Sequence, residues 1–217
     1  MHKKHLFFFL TSTVLFFVDH FYYNFWLPLL GIFWHLEALL RGVYLSTGSF
    51  YGRPIFHIHP RAHVFLGCSF SFISSSRRCS SGSLYSPVRL SARSSTSVII
   101  LGRNVGLNGT SIVSRSHKIY IGNDTIIAPN CVIMDSPFHR TWPPHDRISY
   151  NSSDLDDDVY IGDDCWIGTG SMVLPGAHVG HGSVVAARSV VRGSYPPNSL
   201  IAGVPSRLVR NLSNEEI

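Results

Sequence analysis

In the C-terminal half of the chain, one aliphatic, β-branched residue returns every six positions: Ile161, Ile167, Val173, Val179, Val185 and Val191. Four residues after the first five of these stand the small residues Cys165, Ser171, Ala177, Ser183 and Ser189. Six residues on an α-helix is 600°, which carries the aliphatic position off any single face, whereas a short strand can keep it pointing inward. The pattern predicts an all-β solenoid of stacked parallel strands. Each hexapeptide forms one flat side, the small residue turns the corner, and three hexapeptides close a coil of about 18 residues. The rhythm extends upstream through Ile121, Ile127 and Ile133 and, after a two-residue slip around Ser114 to Ile119, through Leu101, Leu107 and Val113. We place this repeat domain at residues 98–210, followed by a tail over 211–217.

The repeat breaks twice. After Ile133 it stops, and it restarts only at Ile161, with a loop over residues 139–160 that carries Pro143 and Pro144; long loops in compact repeats are commonly functional. Beyond Pro196 and Pro197 it ends in Ala202–Arg210, where a short helix or turn would place Arg207 and Arg210, three apart, on one face.

Upstream of the repeat the composition changes. Residues 1–45 begin with Lys3 and Lys4, continue through a largely apolar run from Leu6 to Val18, and end in an aromatic stretch from Phe21 to Trp34. The run is too short for a clean membrane span, which needs about 20 apolar residues, and no small-residue cleavage site follows it as in a signal peptide. Tyr22, Tyr23, Trp26 and Trp34 suit the headgroup level, so residues 1–40 are expected to form a membrane-surface anchor, with a helix packed on the main domain as the alternative. Residues 46–67 read as lead-in coil. Residues 68–97, in which 13 of 30 positions are serine, read as a Ser/Arg-rich loop.

Charged residues are 14% of the chain against 45% hydrophobic, too apolar for disorder, and the net charge of +5 is mild. The arginines of the serine-rich zone lack aromatic interleaving or a recognised motif, so no nucleic-acid partner is expected. Cys68, Cys79, Cys131 and Cys165 form no C-x-x-C pair, which argues against a zinc ribbon or a disulfide framework and for a reducing compartment.

The runs Val159–Gly168, Met172–Gly180 and Ala202–Arg207 resemble the C-terminal signature of the hexapeptide-repeat O-acetyltransferases, and Asp135–His139 is most similar to the polysaccharide-modifying branch. The resemblance covers about residues 98–212. It implies a left-handed parallel β-helix, a homotrimer, and transfer of an acetyl group from acetyl-CoA to a sugar hydroxyl of a surface or exopolysaccharide or its precursor, with no metal. A sugar hydroxyl is a poor nucleophile until its proton is removed, and histidine suits that task near neutral pH. The resemblance puts the catalytic base at His139, with His145 as competitor, and an acceptor-orienting amide at Asn108. Asp135 is expected to orient the imidazole or bind sugar. By the same resemblance Thr169 and Ala187 contact coenzyme A through their backbones, while Arg207 and Arg210 meet its phosphates. Arg192 stands one position from the family's usual cation, and Ser116 replaces a residue that is often acidic. A coenzyme donor implies a cytoplasmic protein, associated with the inner face of the membrane if the anchor holds. Two other readings stay open: a non-catalytic trimeric scaffold, and a zinc-dependent carbonic anhydrase-like protein using His139, His145, His178 and His181.

Overall fold

The computed structural model describes residues 26–149 and 153–212. The apolar run Leu6–Val18 and most of the tail lie outside them. The described chain is a left-handed parallel β-helix with three faces, here A, B and C. Face A stacks Val43–Leu45, His63–Leu66, Val98–Leu101, Lys118–Ile121, Val159–Ile161, His178–Val179 and Ser194–Tyr195. Face B begins at Gly48–Tyr51 and face C at Ile55–Ile58, and each coil passes A to B to C before rising to the next. Six coils are complete. The seventh ends on face B at Ser199–Gly203, against which Ser206–Asn211 folds back antiparallel.

The six-residue rhythm marks the interior. Ile161, Ile167, Val173, Val179, Val185 and Val191 are all fully buried, two per face, in strands that pair in register with the coils on either side. Cys165, Ser171, Ala177, Ser183 and Ser189 are buried at the corners, where only short side chains fit. The Ser171 hydroxyl donates to the Ala186 carbonyl at 3.0 Å, so a polar corner residue satisfies backbone that a tight bend leaves unpaired. At Gly162 even a methyl group would lie 2.6 Å from the backbone nitrogen of His181 in the next coil. Burial pushes the Cys131 thiol up to about 11 and raises that of Cys165, so both serve as small core residues rather than nucleophiles.

The structure departs from the sequence reading in five places. The solenoid starts at Val43 rather than 98: five strands between Gly48 and Ala92 join Val43–Leu45 in the first two coils, and of residues 46–97 only 74–88 leave the stack. On faces B and C of these coils Phe50, Phe56, Phe70 and Phe72 take inward positions, while face A keeps Val43 and Val64, and the mixture hides the aliphatic rhythm. Ile112, not Val113, is the inward residue, aligned with Ile133 of the next coil. The long loop runs from Asp135 to Asp158, because Val159 and Tyr160 already belong to face A. Toward the C-terminus a turn at Val204 and Pro205 leads into the strand Ser206–Asn211, so Arg207 and Arg210 lie on a strand and not on a helical turn. Arg207 and Arg210 still share a face, since a register shift between Leu200 and Ile201 pairs Arg207 with Ala202 and Arg210 with Leu200.

Helix α1, Leu27–Leu40, packs its Ala38 and His35 side over the first coil; the His35 ring meets Phe50 at 4.7 Å and Phe70 at 5.9 Å. Among the described residues no helix is long and apolar enough to cross a membrane.

Candidate active site

His139 sits on the loop that leaves the C–A corner of the fourth coil. Its backbone N–H donates to the Pro137 carbonyl at 2.8 Å, and Nδ1 lies 2.7 Å from the Arg147 carbonyl oxygen at helix α2, Asp146–Ser149. A carbonyl only accepts, so Nδ1 carries the proton and Nε2 of the neutral ring keeps its lone pair. Arg147 is itself tied back to the loop, donating from Nη2 to the Thr141 carbonyl at 2.8 Å. His139 lines a cavity of about 300 Å³ with Met134, Pro137, Leu155, Leu174 and Arg192. The cavity therefore joins a histidine in the base-competent tautomer to a cation and apolar walls. His145 stands aside, with its side chain 81% exposed and Nε2 at 3.4 Å from Asp146.

Asp135 does not reach His139. It is fully buried: one carboxylate oxygen accepts the Arg115 N–H at 2.7 Å, the other those of Ser116 (3.1 Å) and His117 (2.8 Å). The expected role as orienter is taken instead by the Arg147 carbonyl, and Asp135 closes the turn beneath the loop. Beside it lies a residue the sequence did not single out. Asp156 is paired bidentately with Arg115 at 2.8 Å to both oxygens and accepts the Ser116 hydroxyl. Burial alone would raise its carboxyl, but hydrogen bonds from Arg115, Ser116 and Ser136, with the charge of Arg115, hold it below the usual carboxylate range. The Arg115 guanidinium also lies 5.9 Å from the Phe138 ring centre. This network roots both ends of the loop that carries His139.

The other expected residues occupy a different corner. Asn108 ends its face B strand at the B–C corner, half-buried, donating from Nδ2 to the Ile127 carbonyl at 2.9 Å while its Oδ1 takes no donor among the described residues. Thr169 and Ala187 stand at the same corner in the fifth and sixth coils, both exposed. The backbone N–H of neither donates to any described residue, although the Thr169 carbonyl accepts from Arg188 at 2.9 Å. Arg207, paired with Ala202, lies at the top of this column. Within one chain the Asn108 corner and the His139 corner are separated by face C, on the order of 15 Å of extended backbone.

The excursion 74–88 also belongs to the B–C corner. The Asn130 side chain holds it with both ends of its amide, accepting from the Tyr85 N–H at 2.8 Å and donating to the Ser83 carbonyl at 2.9 Å. At Gly109, next to Asn108, a β-carbon would come within 2.8 Å of the Ser86 carbonyl and 3.1 Å of Leu84. The arm thus seats against the corner at a position that has to be glycine, leaving Tyr85 82% exposed. The four histidines of the zinc reading are not gathered; among the described residues no group of three or more His, Cys, Asp or Glu could hold a metal, and His178 stacks on Tyr160 at 4.6 Å.

The fold is a three-faced parallel solenoid with one inward aliphatic per hexapeptide from Ile161 to Val191. Residues 158–193 match the model of the bacterial transferase hexapeptide (six repeats). It is 37% identical over 127 residues to WbbJ of Escherichia coli K12, a protein named for lipopolysaccharide biosynthesis O-acetyl transfer, covering 54% of this chain and 63% of the relative. Over 118 residues it is 32% identical to the galactoside O-acetyltransferase of the same organism, covering 54% and 56%. The match spans less than two thirds of either relative. Among solved structures, the polySia-specific acetyltransferase NeuO superposes with a TM-score of 0.58 at 18% identity, over 80% of this chain and 78% of that one.

Proposed function

We propose that this chain is an acetyl-CoA-dependent O-acetyltransferase acting on a sugar hydroxyl of a surface or exopolysaccharide or its precursor. The observation that carries the reading is His139, whose Nδ1–H is engaged by the Arg147 carbonyl so that Nε2 is the basic atom, in a cavity shared with Arg192. The relatives named for O-acetyl transfer to lipopolysaccharide and galactosides support the acceptor class. In this reading Nε2 of His139 takes the proton of the acceptor hydroxyl as that oxygen attacks the thioester carbonyl. The resulting imidazolium returns the proton to the departing thiolate, so an ester and a free thiol form and the histidine ends neutral. The carbonyl of Arg147 steadies the ring in both states.

The donor's place is supported by the B–C column. The outward N–H groups of Thr169 and Ala187 recur at the coil spacing of about 4.8 Å, as an amide-bearing arm requires, and Arg207 and Arg210 share a face above them for its phosphates. Asn108 offers Oδ1 to an acceptor hydroxyl. Because face C separates these groups from His139 in one chain, the complete site needs the C–A corner of one copy against the B–C corner of another. A threefold homotrimer satisfies that relation three times over. The donor places the reaction in the cytoplasm.

The test is thiol release from acetyl-CoA against a panel of mono- and disaccharides, with wild type and His139→Ala side by side. Acceptor-dependent release that disappears in the variant is expected. Release that persists in His139→Ala removes His139 as the base, and failure to bind acetyl-CoA at all overturns the reading.

A further inference from the structure

Helix α1 is apolar except at His35 and Glu37, Leu-Pro-Leu-Leu-Gly-Ile-Phe-Trp-His-Leu-Glu-Ala-Leu-Leu, yet only one side of it is covered. Gly31 and Ala38 are buried and Trp34 packs on the core, whereas Leu29, Ile32, Phe33, Leu36, Leu39 and Leu40 are exposed, Ile32, Phe33 and Leu40 by 65 to 79%. Their spacing places them on one stripe. An end cap on a solenoid normally presents a polar outer side, because that side faces water. Here the cap exposes a continuous apolar ridge, which marks a surface that another phase or molecule covers.

The charges around the ridge indicate which. Arg41 and Arg53 both reach Glu37, at 3.1 Å, so the three carry a net positive charge at the edge of the helix. A groove of about 370 Å³ runs from Phe33, Leu36 and Leu40 to the Glu37–Arg41 ion pair, apolar at one end and polar at the other, with Arg53 adding a second guanidinium on Glu37. From residue 1 to 67 the sequence has Lys3, Lys4, Arg41, Arg53 and Arg61 against Asp19 and Glu37 only, and the apolar run Leu6–Val18 precedes the ridge. A second protein of ordinary composition would bring acidic side chains for the arginines and its own apolar ridge; an anionic bilayer supplies phosphate and acyl chain together in the order the groove has them. Over the described residues the helix is 14 residues, about 21 Å, long, and its covered side lies on the first coil, so the ridge presents itself lengthwise to whatever surface covers it.

We propose that α1 is a bilayer-docking helix, with Leu29, Ile32, Phe33, Leu36, Leu39 and Leu40 in the acyl boundary and Arg41 and Arg53 at anionic headgroups. This goes beyond the acetyltransferase reading and does not depend on it. The test is flotation of the full chain with phosphatidylcholine vesicles, with and without about 30% phosphatidylglycerol, anionic lipid being the source that attracts Arg and Lys. Wild type floats with the anionic vesicles, more strongly at low salt, and Ile32→Asp/Phe33→Asp/Leu36→Asp floats at least tenfold less while melting at the wild-type temperature. Single Phe33→Asp and Leu40→Asp variants, which disturb the helix least, show graded losses, and Arg53→Gln weakens only the anionic preference. Undiminished flotation of the ridge variants overturns the proposal and assigns the binding to residues outside α1. Lipid-free assemblies that the ridge variants dissolve, with no vesicle binding by wild type, overturn it in favour of a second copy of the chain.

Discussion

At the C–A corner, His139 hangs on a loop whose root is a buried ionic network, whereas at the B–C corner Asn108, Thr169 and Ala187 belong to the repeat itself. The loop has little repeat geometry of its own, and Asp135 and Asp156 substitute for it by binding the turn Arg115–His117 and the Arg115 guanidinium. The column needs no such root, because each coil positions the next through parallel strand pairing. A group that must hold a proton at one atom is thus placed by specific polar contacts, and groups that only line a long ligand are placed by periodicity.

The sharpest way to break this contrast is His139→Ala, which is expected to lower turnover by about 10²- to 10⁴-fold while leaving acetyl-CoA binding intact, as titration calorimetry would report. A similar loss of binding would mean the two corners are not separate in function. Next in size, Asp156→Ala is expected to destabilise the fold by about 3 kcal/mol at neutral pH, because it strands Arg115 in a buried pair; urea unfolding measures it. Since the native Asp156 carboxyl titrates below its unfolded value of about 3.9, its contribution is present above that value and fades as pH falls through the lower native one. Wild type and Asp156→Asn should therefore converge in stability on acidification, and a constant gap would contradict the ionic account. On the column, Arg207→Ala should weaken acetyl-CoA by about 1 to 3 kcal/mol through loss of a charge-assisted contact, seen as a raised KM with kcat spared. Smallest is Asn130→Ala, which removes the two amide contacts of the arm for about 1 kcal/mol. Hydrogen exchange should then rise at Tyr85 with no change at the His139 corner, and an unaltered Tyr85 amide would show that Leu84 and Gly109 hold the arm unaided.

Much of the solenoid was legible because two-residue strands leave one inward position per hexapeptide, and from Ile161 to Val191 that position is always a β-branched aliphatic. The first two coils were not, since Phe50, Phe56, Phe70 and Phe72 take inward positions on faces B and C there and break the aliphatic spacing. At the site, the resemblance points to His139, where the rhythm stops, and the structure sets that residue against a cavity with Arg192. Asp156 could not: its partner Arg115 is 41 residues earlier, and their meeting depends on the loop returning to the coil it left. The excursion 74–88 was read from composition as solvated loop; what fixes it is Asn130, 45 residues from Tyr85. Arg207 and Arg210 share a face as expected of a helical turn, but a strand with one register shift produces the same result by a different route.

The coil count makes the molecule a ruler. With α1 against the first coil and His139 leaving the fourth, three spacings, roughly 14 Å, separate the coil beneath the helix from the coil of His139 along the solenoid axis. Under the acetyltransferase proposal, and with the ridge on a bilayer, that height together with the thickness of the helix would select which hydroxyl of a membrane-tethered glycan comes level with Nε2. Sugars nearest the lipid would then pass beneath it, and inserting or deleting one whole coil between Val43 and Ser97 would move the modified position along the glycan while leaving Asn108, the Arg115–His117 turn and His139 in place.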